Sequence, residues 1–193
     1  VLSLIKILHT NPGDSDLLTI VAQKVEEIIP YHWIGLAIYD EENQNLYLSH
    51  SFSKFAPEIQ TGQRIPKTAS LFHHAMHASE TITIDNLMSK RDYFEKELFE
   101  RLGLKSCIFA SLNNGGKATG AICLASEKNS AFGRREKRVF SMVAMGVAIA
   151  IEQSRLFHQE KTKRTELEVL NKIGGALTSH TIRVNEVLDF VLN

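Results

Sequence analysis

The stretch Leu102–Ser126, LGLKSCIFASLNNGGKATGAICLAS, carries more structural information than any other part of the chain. It holds two apolar runs, Ser106–Leu112 and Ala118–Ser126, joined by Asn113-Asn114-Gly115-Gly116-Lys117. Adjacent Asn and Gly residues tolerate positive φ and so close a tight reversal between antiparallel strands. Ala110, Ser111, Gly120, Ala121 and Ala125 keep the runs small, which lets other elements pack close against a central hairpin. With the reversal centred on Gly115, Cys107 and Cys123 are equidistant from the turn and are expected to face each other across the two strands.

Downstream, the polar loop Asn129–Gly133 leads to a helix from about Arg134 that meets no breaker until Gly174-Gly175. Val139, Phe140, Val143, Ala144, Val147, Ala148 and Ile151 form its core-facing stripe, while Met142, Met145 and Ile149 are apolar and off that stripe. A helix apolar nearly all round has to be covered on more than one side, and a second copy is the natural extra cover. The following Gln159–Glu166 (QEKTKRTE) reads as a solvated helical spacer.

Upstream, Ser89 can cap a helix over Arg91–Leu102, with Phe94, Leu98 and Leu102 at i, i+4, i+8 spacing. Thr81–Ile84 is a short β-branched run followed by Asp85-Asn86, and Thr68 or Ser70 opens a helix to Ala78. Phe52–Lys67 is irregular, with Pro57 and Pro66 as breakers. Trp33–Asp40 and Asn45–Ser51 are strand-like around the reversal Glu41–Gln44. Earlier still, Leu17, Leu18, Val21, Val25, Ile28 and Ile29 keep helical spacing after a cap at Asp14 or Ser15 and before Pro30. Val1–Leu8 is a helical piece closed by Asn11-Pro12-Gly13.

The 193 residues, 44% of them hydrophobic, suffice for one buried core with appendages. Lys+Arg and Asp+Glu both number 22, so the formal charge is zero and no basic excess marks a nucleic-acid footprint. Phe140–Ile151 is too short an apolar run to span a bilayer, no signal peptide opens the chain, and two cysteines fit a reducing cytosol. No membrane contact is expected of this segment. The chain begins and ends inside apolar periodic segments and reads as a piece cut from a longer protein.

Five elements in order resemble a GAF domain: Ile65-Pro66 before a small helix; Ile82-Thr83-Ile84-Asp85; Leu102-Gly103-Leu104-Lys105-Ser106; the Gly-rich turn leading to Gly120-Ala121-Ile122-Cys123-Leu124; and Phe132 before the last helix. Ser111-Leu112 departs from the family's usual Pro-Leu. The resemblance implies an α+β, GAF/PAS-like fold. A central antiparallel sheet of five or six strands is flanked by helices, and a long C-terminal signalling helix follows. It implies a helical segment at 1–13, the GAF domain at 14–157, a helical linker at 158–175 and the truncated start of a second GAF-like domain at 176–193. NEVLDFVLN near the end resembles SDLLTIV near the start, in keeping with that last unit. It further implies a pocket roofed by the helices at Thr68–Ala78 and Arg91–Leu102, with Phe72, Met76, Ile84, Asp85, Phe94, Leu98, Ser106 and Phe109 as candidate ligand-binding residues.

Several groups invite chemistry. His73 and His77 stand one helical turn apart, a spacing that can chelate a metal or haem, but the helical wheel sets them with His74 opposite the apolar face of Leu71, Phe72, Ala75 and Met76. Cys107 and Cys123 could form a redox-switchable disulfide, or serve as small core residues. Relatives that reduce methionine sulfoxide need a cysteine set this chain lacks. The cyclic-nucleotide signature of the family survives here only as Phe132 and Glu136, with Lys137 reversing its final charge. The expected function is therefore a non-enzymatic sensory or connector module of cytoplasmic signal transduction, of the sensor kinase, cyclic-dinucleotide enzyme or transcription activator type. It takes no cofactor, has an unidentified small-molecule ligand if any, and pairs with a second copy through its terminal helices. The alternatives are a purely structural dimerisation domain with a filled pocket, and a redox or metal sensor built on Cys107/Cys123 or His73/His77.

Overall fold

Among the described residues, alternating apolar segments assemble into one six-stranded antiparallel sheet. The computed structural model describes residues 21–23, 25–53, 62–89 and 92–192, with side chains described for all but 158, 171 and 173–192. In chain order the strands are β1 (Trp33–Asp40), β2 (Asn45–Ser53), β3 (Gln63–Ile65), β4 (Ile82–Ile84), β5 (Ser106–Asn114) and β6 (Lys117–Ser126). Their spatial order is β3-β2-β1-β6-β5-β4, so β6 pairs on one side with β1 and on the other with β5. The short strand β3 lies within the segment expected to be irregular and pairs with Leu46–Leu48 of β2. The expected helices Val1–Leu8 and the cap at Asp14 or Ser15 fall outside the described residues.

The β5–β6 hairpin closes where the Asn and Gly residues indicate. Gly115 and Gly116 take φ of 63° and 91°, and Asn113 Oδ1 accepts from Gly116 N at 2.9 Å. The turn is centred between the two glycines, and the register slips at Leu112/Asn113, where Thr119 is the extra residue. These two offsets move the pairing by two positions. Cys107 stands opposite Ala125 and Phe109 opposite Cys123, so the cysteines are diagonal neighbours rather than facing partners.

Period-two alternation sorts the sheet into two cores. On the first face Ile34, Leu36, Ile108, Ala110, Leu112, Ile122 and Leu124 pack against Val21, Val25 and Ile29 and against Phe140, Val143, Ala144, Val147 and Ala148. The latter group is the expected stripe of α3, the helix Arg134–Leu192. Each such large side chain contributes roughly 1.5–3 kcal/mol on burial. Met142, Met145 and Ile149 of the same helix are 40%, 57% and 37% exposed. The chain divides into two units between Glu152 and Gln153. In the second, the helix passes through Gly174 and Gly175 to Leu192, where the sequence predicted a break. Glycine inside a helix costs only about 1 kcal/mol, too little to end one without a left-handed cap.

The second face carries Trp33, Ala37, Leu46, Leu48, Cys107, Phe109, Ala121, Cys123 and Ala125. Over it lie α1 (Leu71–Met76), a 3-10 turn (Leu87–Ser89) and α2 (Lys96–Arg101). Ser70 caps α1, accepting from His73 N at 3.2 Å. The expected helix Arg91–Leu102 is confined to Lys96–Arg101, and Ser89 closes the 3-10 turn instead of capping it, its hydroxyl donating to Asn86 O at 2.7 Å.

Gly120 sits where β6 crosses β1, and a Cβ there would stand 2.1 Å from the backbone oxygen of Ala37. Gly120→Val therefore forces the central ladder apart and is expected to lower stability by at least about 2 kcal/mol in urea unfolding.

Candidate functional site

The second face is filled by aromatic side chains. Trp33, Phe72, Phe99 and Phe109 are each at most 1% exposed. Their rings meet edge to face: Trp33 with Phe72 at 6.3 Å, Trp33 with Phe99 at 5.4 Å, and Phe72 with Phe109 at 5.0 Å between centroids. Such pairs add about 0.5–1.5 kcal/mol beyond the area they bury. The indole of Trp33 folds over Gly35, since a Cβ at residue 35 would lie 2.2 Å from Trp33 Cη2. Small neighbours on β6 leave the room: Ala121, Cys123 and Ala125 are wholly buried here.

A buried carboxylate holds the roof. Glu95, 4% exposed, caps α1 from 25 residues downstream of Ser70. Its Oε1 accepts from Ser70 Oγ at 2.5 Å and Phe72 N at 3.3 Å, and its Oε2 accepts from Leu71 N at 3.0 Å. The first amides of a helix have no partner within it and favour a negative charge, so the α1 N-terminus is occupied by this chain's own anion. Phe94 N donates to Ala69 O at 2.6 Å, with Ala69 at a φ of 59°. At the other end of α1, Ser111 Oγ donates to Met76 O at 3.0 Å.

The eight candidate ligand residues are dispersed by this arrangement. Phe72, Met76, Ile84 and Phe109 share the second core, and Leu98 packs half-buried against it. Phe94 is 39% exposed, because α2 begins only at Lys96 and Phe99 turns inward in its place. Asp85 is exposed, and its carbonyl accepts from Ser130 N at 2.9 Å. Ser106 alternates with Cys107 onto the other side of β5, where its hydroxyl donates to Lys128 O at 2.6 Å and accepts from Ala131 N at 3.3 Å. Sequence reasoning missed Trp33, Glu95 and Phe99. Only Gly35 two residues after Trp33 hinted that the indole would fold back.

The titratable groups follow from burial. Desolvation pushes the Cys123 thiol well up, reinforced by its hydrogen bond with Cys107 and by the Glu95 charge. A thiol held neutral is a poor nucleophile and a poor metal ligand. Burial, with the Cys107 thiol and the carboxylates of Glu100 and Glu95, raises the Tyr93 hydroxyl to about 12. The rings of His73 and His77 lie 4.8 Å apart between centroids, tilted by 58°, and burial followed by His77 and Lys67 lowers the His73 pKa. Among the described residues, no group of three or more His, Cys, Asp or Glu is placed to share a metal ion.

A family model for the GAF domain matches residues 14–152. The chain belongs to the GAF domain family. Solved structures superpose on it. The GAF domain of a two-component sensor histidine kinase from Bacillus halodurans matches with a TM-score of 0.67 at 22% identity, over 76% of this chain and 98% of that one. The GAF domain of an Acinetobacter phosphoenolpyruvate-protein phosphotransferase gives 0.67 at 13% identity, over 81% and 93%. A free methionine-R-sulfoxide reductase from Neisseria meningitidis, in complex with its substrate, gives 0.64 at 18% identity, over 79% and 86%. No curated protein matches the sequence. The GAF match stops at residue 152, short of the segment 176–193 expected to open a second such domain.

Three measurements check the geometry of this GAF site. Phe99→Ala is expected to cost about 3–5 kcal/mol, against less than about 0.5 kcal/mol for Phe94→Ala, in chemical denaturation. Glu95→Gln leaves an amide donor against the α1 amides and is expected to cost about 1.5–3 kcal/mol. The third concerns alkaline pH. A tyrosine ionises near 10.0 when unfolded but at about 12 in the folded state at Tyr93. The native state thus favours the neutral phenol, a contribution complete below pH 10.0 and lost as pH rises towards about 12. Unfolding titrations over that window, with absorbance at 295 nm, are expected to show stability falling, and falling less in Tyr93→Phe.

Proposed function

We propose that this GAF domain is a non-enzymatic regulatory module of cytoplasmic signal transduction, acting as a connector between two copies of the chain. The observation that carries this reading is the closure of the second face by Trp33, Phe72, Phe99 and Phe109, all wholly buried and in edge-to-face contact. A face filled by its own side chains relays strain between roof, sheet and terminal helices without needing a guest. The exposed apolar residues Met142, Met145 and Ile149 supply the contact for a second copy. The sensor histidine kinase origin of a similar GAF domain supports the signalling setting. The likeness to a reductase is set against the neutral, buried state of Cys123.

A second reading has support in one detail. Among the described residues, Trp33 Nε1 and Ser51 Oγ are buried without a hydrogen-bond partner. Both belong to the second face, since Ser51 stands opposite Gly35 and Gly35 shares a face with Trp33. A small molecule with an acceptor group would satisfy them. It would enter against Phe72, Met76, Ile84, Leu98 and Phe109, with Phe94 and Asp85 at the rim. In this sensory reading Ser106 acts only through the loop it holds.

Two experiments decide. Size-exclusion chromatography with light scattering is expected to show a dimer, and a monomer at high concentration would overturn the connector reading. Native mass spectrometry of freshly purified protein is expected to give an apo mass, with no thermal shift across a metabolite panel. A retained small molecule, lost in Trp33→Phe, would instead establish the sensory reading.

A further inference from the structure

The histidines of α1 are a cluster of metal-ligating side chains that neither core uses. Phe72, Ala75 and Met76 are the buried residues of this helix, whereas His73 is half-buried and His74 and His77 are exposed. His77 is the C-cap, with φ −94° and ψ −1°. Those angles are close enough to helical to keep its side chain one turn beyond that of His73. The two rings lie 4.8 Å apart between centroids, tilted by 58°. Among the described residues, no side-chain hydrogen bond or ion pair takes up the ring nitrogens of either histidine. The backbone that carries them is anchored at both ends. Glu95 accepts from the amides of Leu71 and Phe72, and Ser111 Oγ donates to Met76 O at 3.0 Å. Two ligand arms that start in place lose little freedom when they bind.

We propose that His73 and His77 form a solvent-facing site for one divalent cation of the Zn²⁺, Ni²⁺ or Cu²⁺ class, clipped across the last turn of α1. The site goes beyond the connector and sensory readings and holds whether the second face is filled or takes a guest. Imidazole nitrogens at i and i+4 of a helix reach one ion at about 2.0–2.1 Å. Water completes the shell, since among the described residues no third His, Cys, Asp or Glu joins the pair. His74 follows His73 in sequence and so stands about 100° further round the helix, outside the pair. Imidazole suits these transition cations, whereas Mg²⁺ and Ca²⁺ demand oxygen ligands. The charge of exposed Lys67 also reaches His73, which weakens the site without adding a ligand. The ion is held only by the folded turn. Its binding therefore stabilises α1, a helix of six residues that otherwise relies on distant anchors.

The test uses the full chain without a histidine tag, titrated calorimetrically with ZnCl₂ and with NiCl₂. One ion is expected to bind per chain, and excess MgCl₂ is expected not to compete. His73→Ala and His77→Ala are each expected to weaken binding at least about tenfold, and His74→Ala less than about threefold. Zn²⁺ at about a hundredfold excess over Kd is expected to raise the thermal midpoint by about 5–10 °C in the wild type and not in His77→Ala. A measurement on the wild type alone stands in should a variant fold poorly: Ni²⁺ is expected to broaden the ring resonances of His73 and His77 before those of the other histidines. Binding that survives His77→Ala, broadening that begins at another histidine, competition by Mg²⁺, or no binding of either ion at millimolar concentration overturns the site. Binding that leaves the midpoint unmoved overturns its hold on α1.

Discussion

Trp33 can fold its indole back over the sheet only because residue 35 is glycine. Any side chain there would occupy the ring's position. Much of the second face follows from that constraint. With the indole lying along β1, Phe72 and Phe99 each come down from the roof to meet its edge, and Phe109 meets Phe72 from β5. The small residues of β6 beneath them, Ala121, Cys123 and Ala125, are the complement of this aromatic layer. Large side chains above and small ones below is how two surfaces reach native packing density without strain. The two cysteines belong to this small-residue floor.

The first core follows a different logic. There the sheet offers Ile34, Leu36, Ile108, Leu112, Ile122 and Leu124 to helices whose apolar stripes recur every three or four residues. That pattern is local, and local patterns survive in a sequence. The stripe Phe140, Val143, Ala144, Val147, Ala148 and the position of Met142, Met145 and Ile149 off that stripe were both legible from spacing alone, as were a reversal at the Asn-Gly run and a cap for α1 at Thr68 or Ser70, of which Ser70 is the one used. The family assignment rested on such elements and stands.

What the sequence concealed was set by partners far along the chain. Cys107 and Cys123 were placed face to face by counting from Gly115. The turn type and the extra residue Thr119, neither visible as composition, moved the register by two. The stripe Phe94, Leu98, Leu102 is periodic enough for a helix, but Tyr93–Glu95 is drawn towards the head of α1. The helix starts later, and Phe99 takes the buried position. Glu95 has no sequence signal at all. A glutamate before a helix reads as a solvated first-turn acid until the amides of Leu71 and Phe72 are seen against its carboxylate.

That carboxylate also makes α1 depend on a distant part of the chain. An α-helix of six residues has too few internal hydrogen bonds to stand alone in water. The hydroxyl of Ser70 is a local cap, but the anion that takes up the amides of Leu71 and Phe72 arrives from beyond β4 and the 3-10 turn. α1 therefore gains its main anchor only where the chain between Ser70 and Glu95 folds back through β4, which pairs with β5. The β5–β6 hairpin, closed by two glycines, needs no such distant contact. Displacing the roof segment Tyr93–Glu95 therefore both uncovers the aromatic face and releases the α1 amides.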